Sequence, residues 1–250
     1  MKIVTWNCNG ALKNKLEVIR TLNADIYVIQ ECENPYNTPS TDYRQFAHNS
    51  LYLPVAENRK SIGIFAHPSI SLTPIQDNIN SPKVHPLKYF LPCLINHQFL
   101  LVNVWTHLNK SGSFGYVGQI WQYIQNNQAI LKTHPTILLG DFNSNTIFDP
   151  KRKKSGWNHS NVVSDLAALD IYSTYHTQTK EIPGQETQST LFMHRKQHKG
   201  YHIDYVFASK SIITTMNHFE ICSFEQWQTF SDHVPLIFEF DETKLTLHKS

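Results

Sequence analysis

Apolar residues along this chain come in short runs broken by polar turns, with stretches of helical spacing between them. Residues 2–6 (KIVTW) read as a strand, and Leu12, Leu16, Ile19 and Leu22 then recur at the spacing of a buried helical face. Asp25–Gln30 (DIYVIQ) is a second buried strand, so the chain opens as a strand–helix–strand unit. Residues 34–60, rich in Pro, Asn and Ser, read as loops around short segments. Ser61–Ala66, Tyr89–Ile95 and Phe99–Thr106 read as strands, the last two joined by a hairpin at Asn96-His97. Val117, Ile120, Trp121, Ile124 and Leu131 share a helical face. Behind them, Ile137-Leu138-Leu139 is a continuous apolar run, the pattern of a strand covered on both faces. Asn161 is a candidate N-cap for a helix running to Leu169. Strand-like runs at Ser189–Met193, His202–Ala208, His218–Phe224 and Val234–Phe240 fill the tail. The alternation predicts an α/β fold with mixed sheets. No Gly/Ser or Pro linker divides the chain, so residues 1–250 are expected to form a single domain.

Composition changes this picture little. The 40% hydrophobic and 17% charged fractions are those of an ordinary globular protein, and a net charge of +2 offers no bulk attraction to a polyanion. The four cysteines (Cys8, Cys32, Cys93, Cys222) lack any paired metal-type spacing and read as inert thiols. The polar start MKIVTWNCNG is unlike a secretory signal, and no apolar run approaches membrane-spanning length. A reduced, cytoplasmic, soluble and monomeric protein, with no obligate protein partner and no membrane association, is the expectation.

The chemistry lies where polar residues meet strand ends. Asn7 follows the first strand, Glu31 ends the second, His107 ends VNVWTH, and Asp141 and Asn143 end ILLGDFN. Asp204 lies inside HIDYVFAS, and Asp232-His233 precedes the last strand. Loops at strand ends converge on a common crevice in α/β sheets. Four carboxylates and two Asn there supply hard oxygen ligands, which suit Mg²⁺ or Mn²⁺ better than Zn²⁺. An acid inside a strand, as at Asp204, needs a partner, because an unpaired buried charge is costly.

Taken in order, TWNCNG, VIQE, GDFNS, HIDYVFAS and SDHVPL resemble the signature segments of the endonuclease/exonuclease/phosphatase superfamily, the deoxyribonuclease I and exonuclease III-like enzymes. The resemblance runs from residue 5 to residue 236. It implies a four-layered α/β sandwich of two packed mixed β-sheets flanked by helices, and phosphoester hydrolysis with Mg²⁺ or Mn²⁺. By the same resemblance Glu31 and Asn7 are metal-binding, with Asp232 near the metal. Asp141 and Asn143 orient the attacking water and the phosphate oxygens, His233 is the catalytic histidine, and Asp204 is the acid that hydrogen-bonds it. Either Asp141 or His233 serves as the base. His107 stands where abasic-site endonucleases usually have a tyrosine, and it implies an acid towards the leaving oxygen or a phosphate contact. The stretch that supports this His in deoxyribonuclease I reads Arg59-Lys60-Ser61 here.

Two basic segments flank the motifs: Lys151-Arg152-Lys153-Lys154, and His194 to Lys199, with Trp157 and Tyr201 beside them. Basic groups with aromatics suit phosphates that carry stackable bases. Arg59, Lys151, Arg152, Trp157, Arg195 and Tyr201, together with Asn143, are therefore the candidate substrate contacts. Nucleic acid is the expected substrate. The alternatives are a small or lipid phosphoester, and an inactive binding module, which would lack a ligand or the histidine.

Overall fold

The computed structural model describes residues 1–54, 59–75, 87–108, 115–150 and 157–245. Its first half supplies β1 (Lys2–Asn7), α1 (Leu16–Arg20), β2 (Ile26–Cys32), α2 (Thr41–Phe46), β3 (Ser50–Tyr52), β4 (Ser61–Ala66), β5 (Leu72–Pro74), β6 (Phe90–Ile95) and β7 (Phe99–Trp105). Then come α3 (Val117–Thr133), β8 (Thr136–Asp141), α4 (His159–Ala167), β9 (Ile171–Ser173), α5 (Thr174–Thr179), β10 (Leu191–Phe192) and β11 (Gly200–Tyr201). The chain closes with β12 (Asp204–Ser209), α6 (Lys210–Ile213), β13 (Met216–Ile221), α7 (Phe224–Trp227) and β14 (Leu236–Phe240). One mixed sheet has the order β13-β14-β1-β2-β4-β3, the other β5-β6-β7-β8-β12-β9. Both are flanked by helices.

Strand alternation builds the layers. In β8, Ile137 and Leu139 join the core between the sheets, whereas Leu138 faces the helices α3 and α4. The same parity sends Leu101 and Val206 inward, and Val102 and Phe207 outward. On the other sheet, Phe46 of α2 covers Tyr27 and Phe65, with ring centroids 5.4 and 5.1 Å away. The continuous apolar run at 137–139 is thus a strand buried on both faces, as its pattern predicts. Each such side chain contributes about 1.5–3 kcal/mol by leaving water.

Between the sheets runs a polar bridge. Gln30 donates to Thr5 Oγ1 at 3.1 Å and, across the gap, to Asn103 Oδ1 at 2.8 Å. Asn103 returns to the first sheet by donating to the carbonyls of Ile29 and Gly63. This fully buried pair fixes how the sheets sit against each other directly beneath the strand ends.

Some elements depart from the sequence pattern for local reasons. The fourth helix begins at His159 because the oxygens of two upstream side chains satisfy its first amides. Asn158 Oδ1 accepts from Asn161 N at 2.8 Å, and Asp149 accepts from His159 N and Ser160 N at 2.7 and 3.0 Å. Asn158, not Asn161, is therefore the cap. The strand expected at 189–193 is reduced to Leu191–Phe192, because His194 and Arg195 take positive φ and turn the chain. The hairpin at Asn96-His97 forms, both residues having positive φ, and Gln98 N donates to Ile95 O. Among the described residues no helix is long and apolar enough to cross a membrane.

Candidate active site

Five segments meet at one edge of the gap between the sheets: the ends of β1, β2 and β8, the start of β12, and the residues before β14. The register Asp204↔Asp141 on the antiparallel pair β8–β12 sets two carboxylates opposite each other. They share the inward parity of Ile137 and Leu139, so both look into the inter-sheet gap. Gly140 makes this approach feasible. It has φ +133°, and a Cβ there would overlap the Val104 carbonyl oxygen and lie 2.8 Å from Gln30 Nε2.

Asp141 and Asn143 are locked together. Asn143 N donates to Asp141 Oδ1 and Asn143 Nδ2 to Asp141 Oδ2, each at 2.9 Å. Asn143 Nδ2 also donates to Thr106 O. Phe142 between them points the other way, into the buried cluster under α3 and α4. From the facing sheet, Asn7 Nδ2 donates to Asp141 Oδ2 at 2.9 Å and to Glu31 Oε1 at 3.1 Å. Glu31 sits at a slip in register between β2 and β4 and has φ +59°, a conformation that costs a non-glycine residue about 1–3 kcal/mol. The bulge aims its carboxylate at the strand edge, where Lys60 Nζ lies 2.7 Å from Oε2.

His233 is placed by the backbone on both sides. Ser231 Oγ accepts from His233 N and donates to Asn7 O, and Trp6 Nε1 donates to His233 O at 3.0 Å. Its Nδ1 meets Asp204 Oδ2 at 2.9 Å and Oδ1 at 3.1 Å, while Nε2 faces Asp141 Oδ2 at 4.0 Å. Asp204 is itself held at its amide by Thr190 Oγ1. With Nδ1 donating to Asp204, the outer nitrogen is the one aimed into the gap.

Burial and charge act in opposite directions on this trio. Burial alone would lower the His233 pKa, but the carboxylates of Asp204, Asp141 and Asp232 outweigh it and hold the imidazole in its charged form well above the ordinary range. Asp141 is pushed up by burial and by the negative charge of Asp204, against the pull of His233 and the Asn7 hydrogen bond. The Asp141 carboxylate, its proton affinity raised, thus faces an imidazolium across 4.0 Å.

Beside Asn143, His107 stands against an aromatic wall, 4.8 Å from Tyr89 and 6.3 Å from Trp105 between ring centroids. Its Nδ1 meets Leu108 O, and its Nε2 is buried with no hydrogen-bond partner among the described residues. Asp232 Oδ1 accepts from Asn9 Nδ2 at 3.1 Å. Tyr201 packs at 5.8 Å on Phe148, which is 55% exposed, and Arg195 donates to Thr229 O. Trp157 stacks against Trp121 of α3, in the helical layer. Arg59 is exposed beside Lys60. Lys151 and Arg152 lie outside the described residues.

Asn7, Glu31, Asp141, Asn143, Asp204 and His233 are therefore one connected cluster, with Asp232 joined through Asn9. The sequence pattern did not single out Asn9, Lys60, Ser231 or Thr190. Asn9 and Ser231 lie within the TWNCNG and SDHVPL segments. Nothing in the sequence tells Lys60 from a solvated lysine.

The donor set can be tested against a divalent cation. Glu31, Asp232 and the Asn oxygens are hard, anionic or amide ligands, and Glu31 and Asn9 already draw in an ammonium from Lys60. The side chains fit Mg²⁺ or Mn²⁺. A second grouping, Asp141, Asp204 and His233, has ligand atoms within 4.8 Å of one another. There, however, the oxygens are already spent on hydrogen bonds to Asn143, Asn7 and His233.

The model of the Endonuclease/Exonuclease/phosphatase family matches residues 4–233. No curated protein sequence matches the chain. Among solved structures, the 3′-5′ exonuclease NExo from Neisseria meningitidis superposes with a TM-score of 0.70 at 18% identity, over 96% of this chain and 100% of that one. A 3′ phosphatase NExo from Neisseria, bound to a product DNA hairpin, gives 0.69 at 18% identity, over 96% and 99%. An AP endonuclease from Archaeoglobus fulgidus gives 0.69 at 15% identity, over 96% and 99%.

Proposed function

The chain belongs to the Endonuclease/Exonuclease/phosphatase family, whose enzymes hydrolyse phosphoester bonds, and on that premise we propose that it is a divalent-metal-dependent nuclease acting on DNA. The observation that carries the mechanism is the line Asp204–His233–Asp141, with His233 Nδ1 engaged and Nε2 facing the Asp141 carboxylate across 4.0 Å.

Glu31, Asn7 and Asp232 would hold the metal. When bound, it supplies a positive charge against the phosphoryl oxygens. The protein does the rest. Asp204 keeps His233 charged and fixes its ring orientation, so that Nε2–H donates to a non-bridging phosphate oxygen. Asn143, whose side-chain amide hydrogens go to Asp141 and Thr106 O, holds the Asp141 carboxylate in place beside that phosphate. Asp141, raised towards neutrality by burial, accepts the proton of the attacking water, a role that requires a base poised near the working pH. His107, next to the Thr106 whose carbonyl holds Asn143, is the candidate acid towards the leaving oxygen.

Support for a polynucleotide substrate comes from the rim. Exposed Phe148 packs on half-buried Tyr201, and Arg195 stands next to the same segment, a combination that stacks bases and meets phosphates. Of the three solved structures above, one is named a 3′-5′ exonuclease, one an AP endonuclease, and one a 3′ phosphatase bound to a product DNA hairpin, which supports a polynucleotide reading.

A panel of single-stranded, duplex, abasic and 3′-phosphorylated DNA, RNA and small phosphodiesters tests this, with Mg²⁺, Mn²⁺ or chelator. We expect cleavage of DNA that disappears with chelator, and that His233→Ala lowers by about 10²–10⁴-fold. Hydrolysis of only small esters would overturn the nuclease reading, and activity surviving chelation would overturn the metal.

A further inference from the structure

Lys60 immediately precedes β4, on the strand that pairs with the bulged end of β2. Its ammonium lies 2.7 Å from Glu31 Oε2 and 3.0 Å from Asn9 Oδ1. The other oxygen of Glu31 is taken by Asn7, which also donates to Asp141. Asn9, in turn, donates to Asp232. The lysine is thus hydrogen-bonded to one member of the set that would hold the metal, and one residue removed from the second. The lysine stem needs room to reach there, and Gly10 provides it: a Cβ at Gly10 would stand 2.9 Å from Lys60 Cε. The Lys60 side chain is 38% exposed and Glu31 20%, so the ammonium has an open path back to water.

We propose that Lys60 is a built-in competitor for the divalent cation: its ammonium occupies the Glu31 carboxylate until a metal ion displaces it, and it thereby lowers the metal affinity of the free protein. This rests on the reading of Glu31 as the metal carboxylate. Two cations cannot both use Glu31 Oε2 at bonding distance, because like charges so close repel strongly in a half-buried site. One must leave, and the flexible four-carbon stem of lysine makes it the one that moves. Without metal, Lys60 balances a carboxylate that a bulge holds in an otherwise unfavourable conformation. With metal, the freed ammonium stands at the rim of the cleft, within reach of an incoming phosphate.

The experiment uses the full chain and Mn²⁺ alone, without substrate. Binding is followed by the loss of the free-ion electron paramagnetic resonance signal in wild type, Lys60→Met, Lys60→Gln and Glu31→Gln, each checked for an intact thermal transition. We expect Lys60→Met and Lys60→Gln to bind Mn²⁺ about tenfold more tightly, the range set by losing a partly exposed charged hydrogen bond. Reductive ¹³C-methylation gives a second readout. The Lys60 resonance, assigned by its absence in Lys60→Arg, should move to the free-lysine position when Mg²⁺ saturates the protein. Unchanged or weaker Mn²⁺ binding in both Lys60 variants, or a Lys60 resonance unmoved by Mg²⁺, overturns the proposal. Wild-type binding that survives Glu31→Gln overturns instead the assignment of Glu31 to the metal, a failure separable from the first.

Discussion

Replacing Asp204 by Asn tests the catalytic line most directly. The variant keeps the shape of the side chain and its amide contact with Thr190, and removes one charge. In the structure that charge meets His233 Nδ1 at 2.9 and 3.1 Å, with both residues almost wholly buried. Breaking one side of such a buried pair costs on the order of 3–5 kcal/mol while the imidazolium survives. The histidine avoids that cost by giving up its proton, so its pKa falls from the raised position that Asp204, Asp141 and Asp232 impose. A neutral imidazole no longer offers a positive charge to the phosphate. We therefore expect kcat on DNA to fall by about 10²–10⁴-fold, with KM changed far less, since the histidine acts on charge that develops in the transition state. The assays are steady-state kinetics, a thermal melt, and the ¹⁵N shifts of the His233 ring, which report its protonation at neutral pH. A ring that stays protonated in Asp204→Asn, or a kcat within about threefold of wild type, would refute the reasoning, because Asp204 would then be neither holding the charge nor positioning it.

Three further outcomes follow from the geometry. Gly140→Ala combines a φ of +133° with an overlap on the Val104 carbonyl, and should cost about 3–5 kcal/mol in urea unfolding and displace Asp141. His159 has a pKa pushed down to about 4, first by burial, against an unfolded value near 6.5. Because the unfolded chain takes up the proton first, the associated stability is present above pH 6.5 and is lost as pH falls towards 4, by up to about 3 kcal/mol, with His202 shifted the same way. Thermal melts across this window should show the loss, and His159→Gln should flatten it. Tyr201→Ala removes the half-buried partner of exposed Phe148 and should raise KM for polynucleotide about 5–50-fold with kcat within about threefold, while leaving small esters unaffected.

Much of this protein could be read from the chain alone. The short apolar runs marked the strands, because burying a strand on one face or both leaves a direct mark on the sequence; the continuous run Ile137–Leu139 carries that mark, and the structure buries all three. The five motif segments identified the residues that now form one connected cluster, since each lies where a strand begins or ends. What they could not supply was which atoms meet. That His233 turns Nδ1 to Asp204 and Nε2 to Asp141 depends on the register of β8 against β12 and on Ser231 and Trp6, contacts between residues far apart in the chain. That Glu31 points at the strand edge depends on a bulge, a slip in pairing that no local pattern announces. Lys60 shows the division most plainly. Charge runs and lone lysines look alike in sequence, and only the pairing of β4 with β2, over a glycine that leaves room for its stem, sets this ammonium on the carboxylate assigned to the metal. Local periodicity determined the elements and the kinds of residue at their ends, whereas long-range pairing decided their partners, because hydrogen bonds and charges act over a few ångströms of space and not over positions in a chain.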